Sequence, residues 1–387
     1  MEFIYLDHNA TTKPAEEVVT AMIQALREGW ANPSSMHRPG QAVRRQVELA
    51  RESVCDLIGC RDRELVFTSG GTEAANLAIS GSLAAQTNRN VLVTSPLEHS
   101  TVREPAETLE RRGADVVWLA NDGNGIVDLD ALRRLLARQA DEIALVSIMW
   151  ANNETGIIQP IEEIGRLCRE HGVRFHTDAT QWVGKMPTDV SSMPVDVLSF
   201  SAHKFHGPKG IGALYVRSGV RIEPQLIGGP QERERRGGTE NVPGIIGLGV
   251  AARLAKRWLA GDDRRRLGTL RDSFEQRILG AVGEATVIGS DAPRLWSTSN
   301  IAFAKLEAEA ILLMLSERGV CASAGAACSS GSMEPSTVLL AMGIGDQLVA
   351  GSIRFSLSRD TTADEIDRAL EVIAAVISTL RATMAAV

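Results

Sequence analysis

The sequence predicts an α/β fold built on a mostly parallel sheet, followed by a smaller α+β unit. Three observations carry this. Short apolar runs alternate with helix-period segments from about residue 65 to 216. The apolar runs are near-continuous rather than alternating with polar residues, as in strands buried on both faces. Polar and glycine-rich motifs stand at the carboxyl ends of these runs, where ligands bind in open α/β sheets. A chain of 387 residues is also long for a single core, so one large and one small unit are expected.

The opening segment, Tyr5-Leu6-Asp7-His8-Asn9-Ala10-Thr11-Thr12, is a short strand entering a polar turn. Pro14 suits the first turn of a helix reaching about Glu28. Asn32-Pro33-Ser34-Ser35 is a loop by its turn residues. Val43, Val47, Ala50, Val54 and Leu57 give positions 40–58 a helical period. Residues 65–68 form a strand, Ser69-Gly70-Gly71-Thr72-Glu73 a tight turn, and a helix follows from about Ala74. A glycine turn feeding a helix start is an anion site, since free N–H groups and the helix dipole point the same way. Strands are expected at 91–94, 115–119, 143–149, 173–177, 196–200 and 211–216. Helices are expected from about Ser100, over 128–139, over 160–170 and over 247–259. The remainder, about 260–387, has strand patterns at 299–303 and 352–356 and helix patterns at 307–317 and 364–382. Between them, Ser323-Ala324-Gly325-Ala326-Ala327-Cys328-Ser329-Ser330-Gly331-Ser332 holds little apolar surface and is expected to be mobile.

Composition excludes several classes. A net charge of −7 without a Lys/Arg block argues against nucleic-acid binding, and Arg264-Arg265-Arg266 after two aspartates fits a solvated helix face. No apolar run is long enough to span a bilayer, and the first residues lack a basic-then-apolar leader. Five scattered cysteines form neither a disulfide framework nor a zinc pattern, so a reducing cytoplasm is the expected compartment.

The residues able to do chemistry gather at predicted strand ends. Lys204, in Ser199–Phe205, is a candidate amine nucleophile for an aldehyde cofactor, with Ser201 and His203 placed to hold a phosphate; alone it also fits a surface lysine. Asp178 can keep a pyridine nitrogen protonated and so strengthen an electron sink, or simply cap a helix. His99 can stack on a flat ring and move protons, or make one loop hydrogen bond. Asn153 and Gln181 can bind a ring hydroxyl. Cys328, among Ala, Ser and Gly, fits an accessible thiol nucleophile. Arg354 can clamp a carboxylate through two parallel hydrogen bonds.

The stretches YLDHNATT, NPSSMH, FTSGGTEAAN, EHS, MWANNETG, FHTDATQWVGK, SFSAHKFHGPKG, RRGGTEN, SAGAACSSGSMEPS and IRFSLSR run over essentially the whole chain. In them the chain resembles the cysteine desulfurases of the NifS/IscS class, and the wording of MWANNETG, GLGVAA and EAILLMLSERG is most similar to the nitrogenase-associated branch. The resemblance implies a fold-type I transferase using pyridoxal phosphate (PLP). Its large domain, residues 15–259, would hold a mostly parallel seven-stranded sheet. Residues 1–14 and 260–387 would form the small α+β domain carrying the cysteine loop, about 321–333. It implies Lys204 as the Schiff-base lysine, and Gly71, Thr72, Ser201 and His203 at the phosphate. Thr239 of the partner subunit would join them, making a homodimer part of the site. Asp178 would face the pyridine nitrogen, His99 the ring, and Asn153 and Gln181 the ring oxygen. Arg354, with Asn32 as a second candidate, would bind the carboxylate of L-cysteine. Cys328 would accept the sulfur and, as a persulfide, could transiently ligate an iron–sulfur cluster. The products would be L-alanine and sulfur for an iron–sulfur scaffold protein, most specifically in nitrogenase cofactor assembly. The alternative is a selenocysteine lyase or another class V aminotransferase-like enzyme. Two departures from the family pattern are Ala202 in place of glycine and Pro230 in place of histidine.

Overall fold

The near-continuous apolar runs become one central sheet. The structure is a computed structural model and describes residues 3–324 and 335–385. In chain order, β1 (Ile4–Tyr5) leads to α1 (Glu16–Glu28) and α2 (Arg38–Ile58). The alternating region runs β2 (Leu65–Thr68), α3 (Gly71–Ala84), β3 (Val91–Thr94), α4 (Ser100–Arg111), β4 (Asp115–Trp118) and α5 (Leu129–Gln139). It continues through β5 (Ile143–Ser147), α6 (Ile161–Glu170), β6 (Phe175–Asp178), β7 (Val197–Ser201) and β8 (Gly212–Val216). Helices α7 (Val242–Leu259) and α8 (Asp263–Val282) lead to β9 (Ala285–Val287), β10 (Thr298–Phe303), α9 (Ala308–Glu317) and β11 (Val320–Cys321). The chain ends with α10 (Thr337–Ala341), α11 (Asp346–Ala350), β12 (Ser352–Ser356) and α12 (Ala363–Ala385).

The seven-stranded sheet has the order β2-β8-β7-β6-β5-β3-β4. Only the two pairings of β8 are antiparallel. Strands β2, β3, β5 and β8 are buried along their whole length, which is why they carry no polar alternation. In register, Asp178 lies beside Ser199 and Ser201 beside Gly212, so β6 and β7 deliver their polar residues to one edge. The main apolar core packs around this sheet. A second core joins Ile4 and Leu6 to α8, α9, β10, β12 and α12, around the antiparallel sheet β12-β10-β9 and the parallel pair β1-β11.

Local chemistry explains the helix ends. The His37 ring accepts from Gly40 N at 3.2 Å to cap α2, which closes on Gly59 at φ 73°. Helix α3 begins at Gly71, three residues before the expected Ala74, because Glu73 accepts from Ser69 N at 2.7 Å and fixes the entry turn. Helix α8 was not legible as a helix: Arg271 and Glu275 lie on its buried face and break the apolar period, Glu275 being paired with Arg294 at 2.6 Å. Arg265 and Arg266 at its start are exposed, as expected of a solvated face.

His176 is fully buried in β6, with its ring nitrogens 2.8 Å from Ser147 Oγ and 3.0 Å from Ser199 Oγ. Burial lowers its pKa to about 4, with Asp178 opposing. In the unfolded chain the ring takes its proton near pH 6.5. Protonation therefore favours unfolding from pH 6.5 downward, and the loss from this group is complete near pH 4. Its size is on the order of 3 kcal/mol. Thermal melting between pH 7 and 4 should fall steeply, and His176→Asn should show the shallower slope even with a lower melting temperature at pH 7.

Candidate active site

A cavity of about 580 Å³ opens beyond the carboxyl ends of β3, β5, β6 and β7. Lys204 reaches it because β7 ends at Ser201 and a single 3-10 turn, Ala202–Lys204, reverses the chain. The turn is tight: a Cβ on Gly207 would lie 2.7 Å from that of Ala202. His206 follows at φ 67°, left-handed for a non-glycine residue, held by its N–H to Thr12 Oγ1 at 2.7 Å and by its ring to Lys13 O at 3.0 Å. Lys204 Nζ donates to the carbonyls of Asn9 at 2.7 Å and Ala10 at 2.8 Å. Burial and the Arg354 charge lower its pKa to about 8, against the opposing pull of Asp178 and Asp7.

One wall is the α3 start, with Gly71 and Thr72. A Cβ on Gly71 would sit 3.1 Å from Thr180 Oγ1, and one on Gly212 would sit 2.6 Å from the Gly70 carbonyl carbon, so two bare backbones let β8 pass under the turn. Ser201 and His203 line the cavity as well. The His203 ring contacts Thr11 Oγ1 at 3.1 Å, and burial beside Lys204 and Lys209 lowers its pKa to about 4.

His99, Asp178, Asn153 and Gln181 also line the cavity. His99 caps α4: its Nδ1 accepts from Thr101 N at 3.1 Å, which leaves the proton of the neutral ring on Nε2. Desolvation lowers the His99 pKa, with Asp178 opposing. Asp178 Oδ1 accepts from Thr180 N at 2.9 Å, and Oδ2 accepts from Thr101 Oγ1 at 3.5 Å. Gln181 donates through Nε2 to Asn9 O at 3.0 Å. Arg354, from β12, donates to Asn153 O at 3.1 Å and pairs with Asp7 at 2.7 Å. Five buried polar atoms on cavity-lining residues, Glu98 Oε2, Arg103 Nε, Asn153 Oδ1, Thr180 Oγ1 and Arg354 Nε, have no hydrogen-bond partner among the described residues.

Ten of the sequence-derived candidates thus line one cavity. Asn32 does not: it is exposed, and its Oδ1 accepts from Ser34 N at 2.9 Å, so the NPSS turn uses that side chain locally. Thr239 is exposed and lies outside the cavity of its own protomer. Cys328 lies outside the described residues, as does most of the loop assigned to 321–333. Among the described residues, no group of three or more His, Cys, Asp or Glu could hold a metal.

Sequence reasoning missed several residues. Asn9 bonds both Lys204 and Gln181 through its carbonyl, yet in the sequence it is one residue of a turn. Glu98, buried beside His99, accepts from Met149 N at 2.7 Å, and burial holds its carboxyl well above the usual range, with Asp178 adding to the rise. Glu154 accepts from Ser336 Oγ at 2.5 Å. Lys185 is buried behind Gln181. The only available signal was that Asn9, Glu98, Glu154 and Lys185 fall inside the quoted motifs.

Comparison with known proteins gives these positions a context. The family model described as aminotransferase class-V matches residues 4–369. A cysteine desulfurase of Cereibacter sphaeroides is 49% identical over 99% of this chain and 97% of its own. The cysteine desulfurase NifS of Azotobacter vinelandii is 46% identical over 98% of this chain and 94% of its own. A solved structure described as a NifS-like protein superposes with a TM-score of 0.90 at 35% identity, covering 97% of this chain and all of that one. The chain is therefore a member of the class-V aminotransferase family, in the company of relatives named cysteine desulfurase.

Proposed function

We propose that this protein is a PLP-dependent cysteine desulfurase that converts L-cysteine to L-alanine and delivers the sulfur as a persulfide on Cys328. The observation that carries this reading is one cavity holding a lysine of lowered pKa, a helix start opening on two glycines, an aspartate beside a histidine, and a buried arginine. The five unpartnered buried atoms fit a polar ligand with several acceptors and donors. Bound there, PLP supplies an electron sink for negative charge developing at the substrate Cα.

The chain's own residues divide the remaining work. The first-turn N–H groups at Gly71 and Thr72, with Ser201 and His203, would hold the phosphate, joined by Thr239 of the partner subunit in a homodimer. Asp178 would hold positive charge at the pyridine nitrogen, fixed by its bonds from Thr180 and Thr101. Gln181 and Asn153 would face the ring oxygen. Lys204 anchors the cofactor and, once released, moves the Cα proton as a base already near neutrality. Arg354 offers its guanidinium to the substrate carboxylate, and His99 exchanges a proton with the substrate thiol through Nε2. The Cys328 thiolate attacks the substrate sulfur. An S–S bond forms, the Cβ–S bond breaks, and its electron pair stays with carbon, which is protonated to give alanine. The persulfide sulfur then passes to an iron–sulfur scaffold protein, with Cys328 able to ligate the cluster transiently. Similarity to NifS favours a nitrogenase-linked role. Among the described residues no helix is long and apolar enough to cross a membrane.

Incubating the purified protein with L-cysteine and following alanine and Cys328-bound sulfur by mass spectrometry tests this. Cys328→Ala is expected to keep the cofactor absorbance and lose both products. Full turnover in that variant would remove Cys328 from the reaction, and a keto-acid product would make the enzyme an aminotransferase.

A further inference from the structure

Lys185 is 5% exposed, and its neighbours are unusual for a lysine. Its Nζ donates to Gln181 Oε1 at 2.7 Å and to Asn9 Oδ1 at 2.9 Å. Both partners are neutral amide oxygens. The charged or titratable groups around it are Lys204, Arg354, His8, His203 and His206, with no carboxylate among them. Burial, then Lys204 and Arg354, hold its pKa well below the ordinary lysine range. Either protonation state of the amine supplies the N–H donors these two acceptors need. The backbone is equally fixed. Lys185 N donates to Trp182 O at 3.0 Å, and Lys185 O accepts from Trp296 Nε1 at 3.0 Å. Gly184 before it stands at φ 78°, where a Cβ would lie 2.5 Å from that of Phe205.

Resting on the reading above, we propose that Lys185 is a positioning residue that sets the orientation of the Gln181 and Asn9 amides. Two amide oxygens must face a donor. Gln181 then turns its NH₂ group away from Lys185: one hydrogen goes to Asn9 O, and the second is available to the ring oxygen of the cofactor. Asn9 in turn points Nδ2 at Asn153 O, 3.1 Å, and Thr298 Oγ1, 2.9 Å, while its backbone carbonyl accepts from Lys204. Without Lys185, the Gln181 amide is oriented by its bond to Asn9 O alone, so a turned amide, which presents an acceptor to the ring oxygen, becomes populated.

A donor at the ring oxygen withdraws negative charge that would otherwise stabilise the protonated Schiff-base nitrogen. Losing that donor raises the nitrogen's pKa. In PLP-loaded protein, the pH midpoint of the visible absorbance should rise by about one unit in Lys185→Met, the size of one hydrogen bond to a charged group. Lys185→Gln, polar but able to accept as well as donate, should shift the same way by less and serves if the methionine variant does not fold. In a Gln181→Ala background, Lys185→Met should move the midpoint no further. An unmoved midpoint in the single variants, or an equal shift in the Gln181→Ala background, overturns the proposal. Failure of the wild-type protein to form a lysine-linked PLP chromophore would instead overturn the functional reading itself.

Discussion

Lys204→Ala is expected to lower alanine formation from L-cysteine by about 10³-fold or more, within the range that a positioned proton-transfer group supplies together with loss of the anchor. The remaining wall, with the α3 start, Ser201, His203 and Asp178, is untouched, so PLP should still bind but without the covalent lysine absorbance. Alanine by mass spectrometry and the absorbance spectrum read the two effects separately. Near-wild-type turnover would assign the Cα proton to another base. The lowered pKa of Lys204 gives a companion result in cofactor-free protein. Only the free base attacks a carbonyl reagent, and Lys204 becomes free base near pH 8 rather than near 10.5. Aldehyde labelling of Lys204 should therefore rise through pH 8, well below that of exposed lysines.

Glu232→Ala is expected to cost about 3–5 kcal/mol, the range for breaking a buried ion pair from one side. Arg51 is 4% exposed and Glu232 8%, and they meet at 2.8 Å. The guanidinium also donates to Leu65 O at 3.0 Å and lies 4.5 Å from the centre of the Phe67 ring, while Glu232 accepts from Phe67 N at 3.0 Å. Removing the carboxylate leaves a buried cation and an unpaired strand N–H. It also releases a strained segment, since Glu232, Arg233 and Glu234 all have positive φ, at 49°, 58° and 65°. That segment leads to Arg236, paired with Glu73 in the first turn of α3 at 2.8 Å. A large drop in the denaturant midpoint with an unchanged slope is the expected result. A change below 1 kcal/mol would mean that Arg51 finds other partners.

The sheet was legible because burial on both faces removes polar residues from its strands, and that is visible without coordinates. Lys204, Asp178 and Ser201 were legible for a related reason: each follows an apolar run, and in an α/β sheet that position faces the ligand. Arg354 was readable as a candidate carboxylate ligand, but its place in the cavity and its bond to Asp7 were not. Asn9 and Lys185 were hidden because their roles consist of contacts with residues far along the chain, and neither shows a pattern of its own. Asn32 lies outside the cavity of its own protomer for the opposite reason. A turn of NPSS type consumes the asparagine side chain two residues on, and that local bond outweighed the motif around it.

The bonds that tie residues 7–9 into the site have a temporal side. Asn9 O accepts from Lys204, 195 positions away, and Asp7 pairs with Arg354, 347 positions away. In synthesis, residues 7–9 thus wait for segments made 195 and 347 positions later before they find their partners. The central sheet can close while β1 is still unpaired, since among the described residues β1 pairs with β11 and not with the central sheet. A nascent or truncated chain ending before β12 would carry Lys204 and most of its surroundings without Arg354. Contacts of such long sequence separation form late and slowly. The cavity is thereby completed only once β12 has been made, and a chain that stops short of it is kept from assembling the full set of reactive groups.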